Sequence, residues 1–224
     1  MLLLTRMEAI YIIIQIFVFI YSVILHEVAH GWVASRFGDD TAKVSGRLSL
    51  NPLVHIDPFG SVIVPLILLV SRSGFLFGWA KPVPVNPYRL RGGSAAYRWV
   101  SLAGVLTNFF LAILAALVLK ITTQYLGFTV NHLGVLFFIE LLRINVVLAV
   151  FNLLPLPGFD GFNFLFTFKP VAALVQRTPL GDPLFMARYG LFVSIILLFA
   201  LISFISVLLN YILGLFIVFF GLYL

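Results

Sequence analysis

The chain has 224 residues, of which 62% are hydrophobic and only 10% are charged, whereas soluble proteins average about 25% charged residues. This composition excludes an ordinary soluble domain. It predicts one transmembrane domain over residues 1–224, with a core at 10–164 and C-terminal helices at 185–224. The net charge of +6 then marks loops at the membrane surface and gives no reason to expect a nucleic-acid partner. Because the chain has no cysteine, a metal ion would have to bind to His, Asp or Glu.

The first apolar segment, residues 10–34, is long enough to span a bilayer and contains the sequence HEVAH at residues 26–30. In a helix, His26 and His30 lie one turn apart and point to the same side, as two ligands of one tetrahedral zinc ion would. Glu27 lies beside them, where a carboxylate can take a proton from a metal-activated water and pass it to a leaving amine. This is the H-E-x-x-H pattern of metalloproteases. Titratable groups in an apolar segment are costly and need a functional reason.

A shorter apolar run follows at residues 62–70; it contains a proline and is too short to span a bilayer comfortably. Basic residues flank it on both sides, which favours a re-entrant segment with both flanks in the cytoplasm over a short extra span. His55 precedes this run and either contacts the substrate or anchors the run at the membrane surface. The proline-rich residues 76–88 predict extended chain near the cytoplasmic face. There Val83 and Val85 are expected to form the edge of a short β-hairpin.

Apolar segments at residues 100–119 and 133–154 and the apolar stretch 185–224 are long enough for further membrane helices. Glycines and an asparagine interrupt the last stretch and predict one full span followed by a shorter helix. The expected fold is therefore an all-α polytopic bundle of about five to six membrane helices. Asn108, in the middle of its helix, requires a polar partner in the bundle.

Two imidazoles leave a zinc site short of a ligand, and Asp160 is the best candidate for the third. It belongs to the sequence NLLPLPGFDG at residues 152–161, where two prolines remove backbone donors and open the helix. Non-helical backbone at membrane depth occurs where it is buried in protein or lines a polar cavity. The distribution of basic residues puts His26, His30 and Asp160 at the cytoplasmic ends of their segments, hence at one depth. The alternative is that Asp160 caps the following helix.

With these motifs the chain resembles the site-2 protease family of intramembrane zinc metalloproteases. The similarity extends to a compact prokaryotic branch of that family that lacks a PDZ domain. Besides HEVAH and NLLPLPGFDG, it includes GRLSLNP at 46–52, HIDP at 55–58 and GWAKPVPVNP at 78–87. One position departs from the family pattern, since Val105 stands where proline is common.

The resemblance implies a zinc ion, Zn²⁺, held by His26, His30 and Asp160, with Glu27 as catalytic base. It implies cleavage of a peptide bond within or near the transmembrane segment of a membrane-protein substrate. Asn152 resembles the family's substrate-positioning asparagine, which could donate to the carbonyl under attack; alternatively its amide satisfies backbone groups that the prolines leave free. A multi-pass protein of the cell membrane is expected, in contact with the lipid bilayer and with its site toward the cytoplasm.

Two other classes of function are left open. A polytopic transporter would bind metal in transit, would need an aqueous path open to both faces, and would sustain metal flux after Glu27→Gln. A catalytically silent scaffold would hold membrane partners and bind no zinc. The general base beside the two histidines favours the protease.

Overall fold

The computed structural model describes residues 6–70 and 80–222, and their regular structure is helical. The prediction of an all-α fold is confirmed for this part of the chain. The α-helices in chain order are α1 Arg6–Arg36, α2 Thr41–Val44, α3 Val64–Val70, α4 Gly93–Lys120, α5 Leu133–Leu153, α6 Asp160–Phe166, α7 Lys169–Val175 and α8 Pro183–Phe220. The shorter turns are the 3-10 segments Pro52–His55, Pro87–Arg89 and Pro179–Gly181, and the π segments Pro58–Ile63 and Ile121–Tyr125.

Among the described helices, four are long and apolar enough to cross a membrane: α1, α4, α5 and α8. The three long apolar segments predicted before the C-terminus correspond to α1, α4 and α5. The expected count of about five to six is not reached in the described residues. One reason is that the stretch 185–224, expected to contain two helices, forms the single 38-residue helix α8 up to Phe220.

The surroundings of Gly214 explain why this glycine, expected to interrupt the segment, does not end α8. An added Cβ at Gly214 would meet nothing within 4 Å, so this glycine serves no turn and no close approach. One glycine costs a helix only about 1 kcal/mol relative to alanine. In an apolar medium each unpaired backbone group costs several times that amount, which favours continuing the helix through Gly214.

The short run at residues 62–70 forms the end of a π-helical turn and the seven-residue helix α3. At about 1.5 Å per residue, such a helix covers about 10 Å, a third of the hydrocarbon thickness. The residues that follow, 71–79, lie outside the described part of the chain. The re-entrant path therefore stays a prediction.

The predicted β-hairpin also falls partly on residues 71–79, outside the described chain. The remaining residues up to 86 are extended but are not a strand. Pro82 and Pro84 have no N–H to give to a ladder. The N–H of Val83 is bonded to the Glu27 side chain and that of Asn86 to the Asp39 side chain, so distant side chains take the donors that strand pairing would use.

Helix α4 is central, since it packs against α1, α5 and α6. Small, fully buried alanines line its contact with α5 and let the two helices approach closely. They are Ala112, Ala115 and Ala116, packed with Val135, Leu142 and Val146 of α5. This packing fixes α4 beside the candidate site.

Candidate metal centre

The side chains of His26, His30 and Asp160 meet at one point. The two Nε2 atoms are 3.1 Å apart, and Asp160 Oδ2 lies 3.1 Å from Nε2 of His26 and 3.2 Å from Nε2 of His30. In a tetrahedral zinc site with bonds of about 2.0 Å, ligand atoms lie about 3.3 Å from each other. His26 is 5% exposed and His30 9%. The structure therefore brings the three predicted ligands together as a group that could hold a metal ion.

Helix α1 and the break after α5 position these groups. His26 and His30 lie four residues apart in the uninterrupted helix α1, so both rings leave the same face. Helix α5 ends at Leu153, and Gly158 turns the chain with a positive φ of 86°. Asp160 then begins α6 after the cap position Phe159, and within the described residues its carboxylate contacts the two histidines rather than the N–H groups of this helix. The alternative of a helix cap is thus not what its carboxylate does here.

Gly161 makes this return possible. A Cβ at that position would lie 2.1 Å from the carbonyl oxygen of Leu153 and 2.7 Å from that of Leu154. Because both neighbours are backbone atoms, no side chain fits. The Asp-Gly pair of the motif therefore combines a candidate ligand with the close backbone approach that delivers it.

The chemistry of the group fits a cation. The backbone carbonyl of Val100 lies 2.7 Å from Nδ1 of His30 and can only accept, so this ring donates from Nδ1 and keeps a lone pair on Nε2. Asp160 Oδ2 is buried and has no hydrogen-bond partner within the described residues. Buried acceptors that face one another need a positive charge between them. Two imidazole nitrogens and a carboxylate oxygen are a ligand set that zinc accepts.

One face of α4 contacts the imidazole rings of both His26 and His30. Val100, Gly104 and Asn108 are spaced by four residues and so share one helix face. Val100 and Asn108 bond to Nδ1 of His30 and His26, respectively. A Cβ at Gly104 would lie 2.4 Å from Cε1 of His26 and 2.5 Å from each Nε2. The role of Gly104 was not predicted; the sequence signal was a glycine inside an apolar helix.

The expected catalytic base, Glu27, bonds to the extended segment, residues 80–86. Its Oε2 accepts from the N–H of Val83 at 2.8 Å. The side chain of Val83 packs on α1, where a Cβ at Gly31 would lie 2.8 Å from Val83 Cγ1. The segment thus runs directly beside the histidine pair.

Three other groups hold the extended segment in place. Arg47 Nη2 donates to the Lys81 carbonyl at 2.6 Å, and the N–H of Lys81 donates to the His55 carbonyl at 2.9 Å. The N–H of Asn86 donates to Asp39 Oδ2 at 2.6 Å. Burial of Asp39 would raise its pKa, but hydrogen bonds from Thr41 and Asn86 lower the pKa below its usual range.

Two predicted substrate-contacting residues have local partners in the structure. His55 is 3% exposed, and its Nε2 donates to the Ser49 carbonyl at 2.7 Å; it is not a member of the three-residue group. Asn152 lies in the last turn of α5, where Nδ2 donates to the Leu148 carbonyl at 2.9 Å. The Leu148 carbonyl lies one turn before Asn152 and is not one of the backbone groups that Pro155 and Pro157 leave free, so both expected roles of Asn152 stay predictions.

Comparison with known proteins gives curated relatives, although no family model and no solved structure matches the chain. It is similar to the protein "Putative zinc metalloprotease YwhC" of Bacillus subtilis (strain 168), 38% identical over 179 residues that cover 78% of each protein. It is also similar to "Putative zinc metalloprotease Rip2" of Mycolicibacterium smegmatis, 35% identical over 147 residues, and of Mycobacterium tuberculosis, 33% over 144 residues. These matches cover 64% of this chain and 52% of each Rip2 protein.

Proposed function

The chain belongs to the site-2 protease family of zinc metalloproteases, and we propose that it is an intramembrane zinc endopeptidase. In this proposal it hydrolyses a peptide bond within or near the transmembrane segment of a membrane-protein substrate. The observation that carries it is the meeting of His26, His30 and Asp160 within 3.2 Å, with Glu27 adjacent to the first histidine on an apolar helix. A polar seam between helices would need neither the shared point nor the adjacent carboxylate.

Each group has a separate part in the reaction. His26, His30 and Asp160 would hold the zinc ion, which when bound polarises the scissile carbonyl and acidifies water. Glu27 accepts the proton of the attacking water as the new carbon–oxygen bond forms. It then delivers this proton to the leaving nitrogen as the carbon–nitrogen bond breaks. The hydrogen bond from Val83 holds Oε2 of Glu27, which leaves Oε1 to exchange the proton.

Asn152 and His55 have less direct parts in the proposal. Asn152 would release the Leu148 carbonyl and donate to the oxygen that gains charge in the substrate. His55 would act through its main chain, since its carbonyl accepts the N–H of Lys81. It thereby helps to hold the extended segment beside Glu27.

The substrate has to present an extended chain, because the carbonyls of a helix are occupied by its own hydrogen bonds. Residues 80–86 are themselves extended, so the proposal has the substrate lie along this edge as an added strand, paired through the N–H of Val85, which has no partner within the described residues. A multi-pass arrangement in the cell membrane, with the site toward the cytoplasm, is supported by four apolar helices and by the basic loops. Water then enters from the cytoplasmic side.

The test compares the native chain with Glu27→Gln, both purified in one detergent and reconstituted with a transmembrane substrate. Asp40→Asn serves as the matched control, because Asp40 is exposed and its side chain bonds only to Ser35 in the described chain. The proposal expects bound zinc in all three proteins and cleavage lost only in Glu27→Gln. Native protein without zinc, or undiminished cleavage by Glu27→Gln, would overturn it. Metal flux across vesicles that survives Glu27→Gln would indicate a transporter instead.

A further inference from the structure

A line of buried hydrogen bonds leads from His26 into the helix bundle. Nδ1 of His26 lies 2.6 Å from Oδ1 of Asn108, and Nδ2 of Asn108 lies 2.8 Å from Oδ1 of Asn145. Nδ2 of Asn145 then lies 2.8 Å from Oγ of Ser22. Asn108 and Asn145 are 0% exposed and Ser22 is 1% exposed, so the line is shielded from bulk solvent. The line joins α1, α4 and α5.

The hydrogen bonds of Asn145, at the far end of this line, determine which groups along it donate and which accept. Nδ2 of Asn145 also donates to the backbone carbonyl of Leu141 at 2.8 Å. A backbone carbonyl can only accept, so the nitrogen of the Asn145 amide must face Leu141 and its oxygen must face Asn108. The orientation of the Asn145 amide thus follows from the Leu141 carbonyl, which can act only as an acceptor.

The same logic continues to the imidazole. The oxygen of Asn145 can only accept, so Asn108 presents its NH₂ group to Asn145 and its oxygen to His26. His26 must therefore donate from Nδ1, and its lone pair is on Nε2. Turning either amide over would place donor against donor or acceptor against acceptor in a dry site. The bundle therefore fixes on His26 the proton position that a metal at Nε2 requires.

We propose that Asn108 is a positioning residue for the metal site, acting through His26, and that Asn145 orients Asn108. The inference rests on the proposed function, because it takes His26 as a zinc ligand. Partners that hold a ligating imidazole typically contribute 10–100-fold, as an order of magnitude, to metal affinity. Asn108→Leu should weaken zinc binding by about that factor. Asn145→Leu should weaken it less, because Asn108 keeps its contact with the ring.

The variant Asn108→Asp separates this role from a purely structural one. A carboxylate still accepts from Nδ1 of His26, but it cannot donate to Asn145, so the bridge between α4 and α5 is lost while the ring stays supported. Thr107→Val is the matched control on the same helix turn, since among the described residues the Thr107 hydroxyl donates only to the Ala103 carbonyl of its own helix. The experiment measures the zinc affinity of the native chain and the four variants by competition with a chromophoric chelator, and the thermal midpoint of each.

The expected result is a loss of affinity in Asn108→Leu and near-native affinity in Asn108→Asp and Thr107→Val. Native affinity in a folded Asn108→Leu protein would overturn the inference. An equal loss in Asn108→Leu and Asn108→Asp would also overturn it, because it would assign Asn108 to the bridge alone.

A second measurement does not need bound metal. Metal-free protein with ¹⁵N-labelled histidine reports which ring nitrogen of His26 carries the proton. The inference expects Nδ1–H in the native chain and in Asn108→Asp, and Nε2–H in a detectable fraction of Asn108→Leu. The same tautomer pattern in all three would refute it. If the native chain bound no zinc, the proposed function would fail, and this spectrum would still show whether Asn108 sets the tautomer of His26.

Discussion

Gly104→Ala should disable the metal site while leaving the helix that carries it intact. The new Cβ would lie 2.5 Å from Nε2 of both His26 and His30, against 3.4 Å for ordinary contact. Each ring would therefore have to move by about 0.9 Å, and functional groups tolerate displacements of only about 0.5 Å. We expect zinc affinity to fall at least as far as in Asn108→Leu, because both ligands are displaced at once.

The effect on stability should be much smaller than the effect on metal binding. Alanine favours the helix over glycine by about 1 kcal/mol, and the overlap with the rings costs about 1–3 kcal/mol. The two contributions leave a net loss of about 0–2 kcal/mol. Gly214→Ala is the matched control, since nothing lies within 4 Å of its added Cβ.

The assay measures zinc retained after dialysis against a weak chelator, together with the thermal midpoint in the same detergent. Gly104→Ala should lose zinc and keep a cooperative transition. Gly214→Ala should keep zinc and unfold at the native temperature or slightly above it. Native zinc retention by Gly104→Ala would refute the reasoning, because the histidine pair would then have space that the structure does not show.

Three further changes test the site and the segment beside it. Removal of zinc with a strong chelator should abolish cleavage, and zinc added back should restore it in the native chain but not in Glu27→Gln, measured on one reconstituted substrate. Val83→Pro removes the N–H that holds Glu27 and should lower cleavage by up to the 10²–10⁴-fold, as an order of magnitude, that a positioned base contributes. Asp39→Asn weakens the anchor of the extended segment and should destabilise the protein at pH 7 by about 1–3 kcal/mol, measured by denaturant unfolding.

The last two changes each have a control. Val83→Ala is matched to Val83→Pro, since it shortens the same side chain but keeps the N–H that Glu27 accepts. Equal activity of the two variants would contradict the role of Val83. The pKa of Asp39 is lowered in the folded chain, so its stabilising effect is present above the unfolded pKa of about 3.9 and is lost as pH falls through the folded value. A difference between native and Asp39→Asn that did not shrink in acid would contradict this assignment.

The sequence was sufficient for residues whose roles depend on local spacing. His26 and His30 share a face because they are four apart in a helix. The prolines before Asp160 opened the chain where a third ligand was needed. Both inferences use only the few residues on either side of each motif.

Features that depend on how the helices pack against one another could not be predicted from the sequence. Asn108 was expected to have a polar partner, but which one depends on the register between α1, α4 and α5. The space that Gly104 leaves for two rings depends on the same register. The hairpin expected at Val83 and Val85 is extended chain without a ladder in its described part, because Glu27 and Asp39, far away in sequence, bond to its N–H groups.

The position of Asp160 has a thermodynamic consequence for the whole bundle. Its carboxylate meets a ring that lies 134 positions earlier in the chain, so an ion shared by the two would close a long loop between α1 and α6. The three ligands lie together in the folded state, so an ion that prefers this state stabilises it by mass action, by about 2.7 kcal/mol at a free concentration 100 times Kd. The unfolding midpoint should therefore rise with free zinc, and the metal would act as a reversible crosslink between α1 and α6.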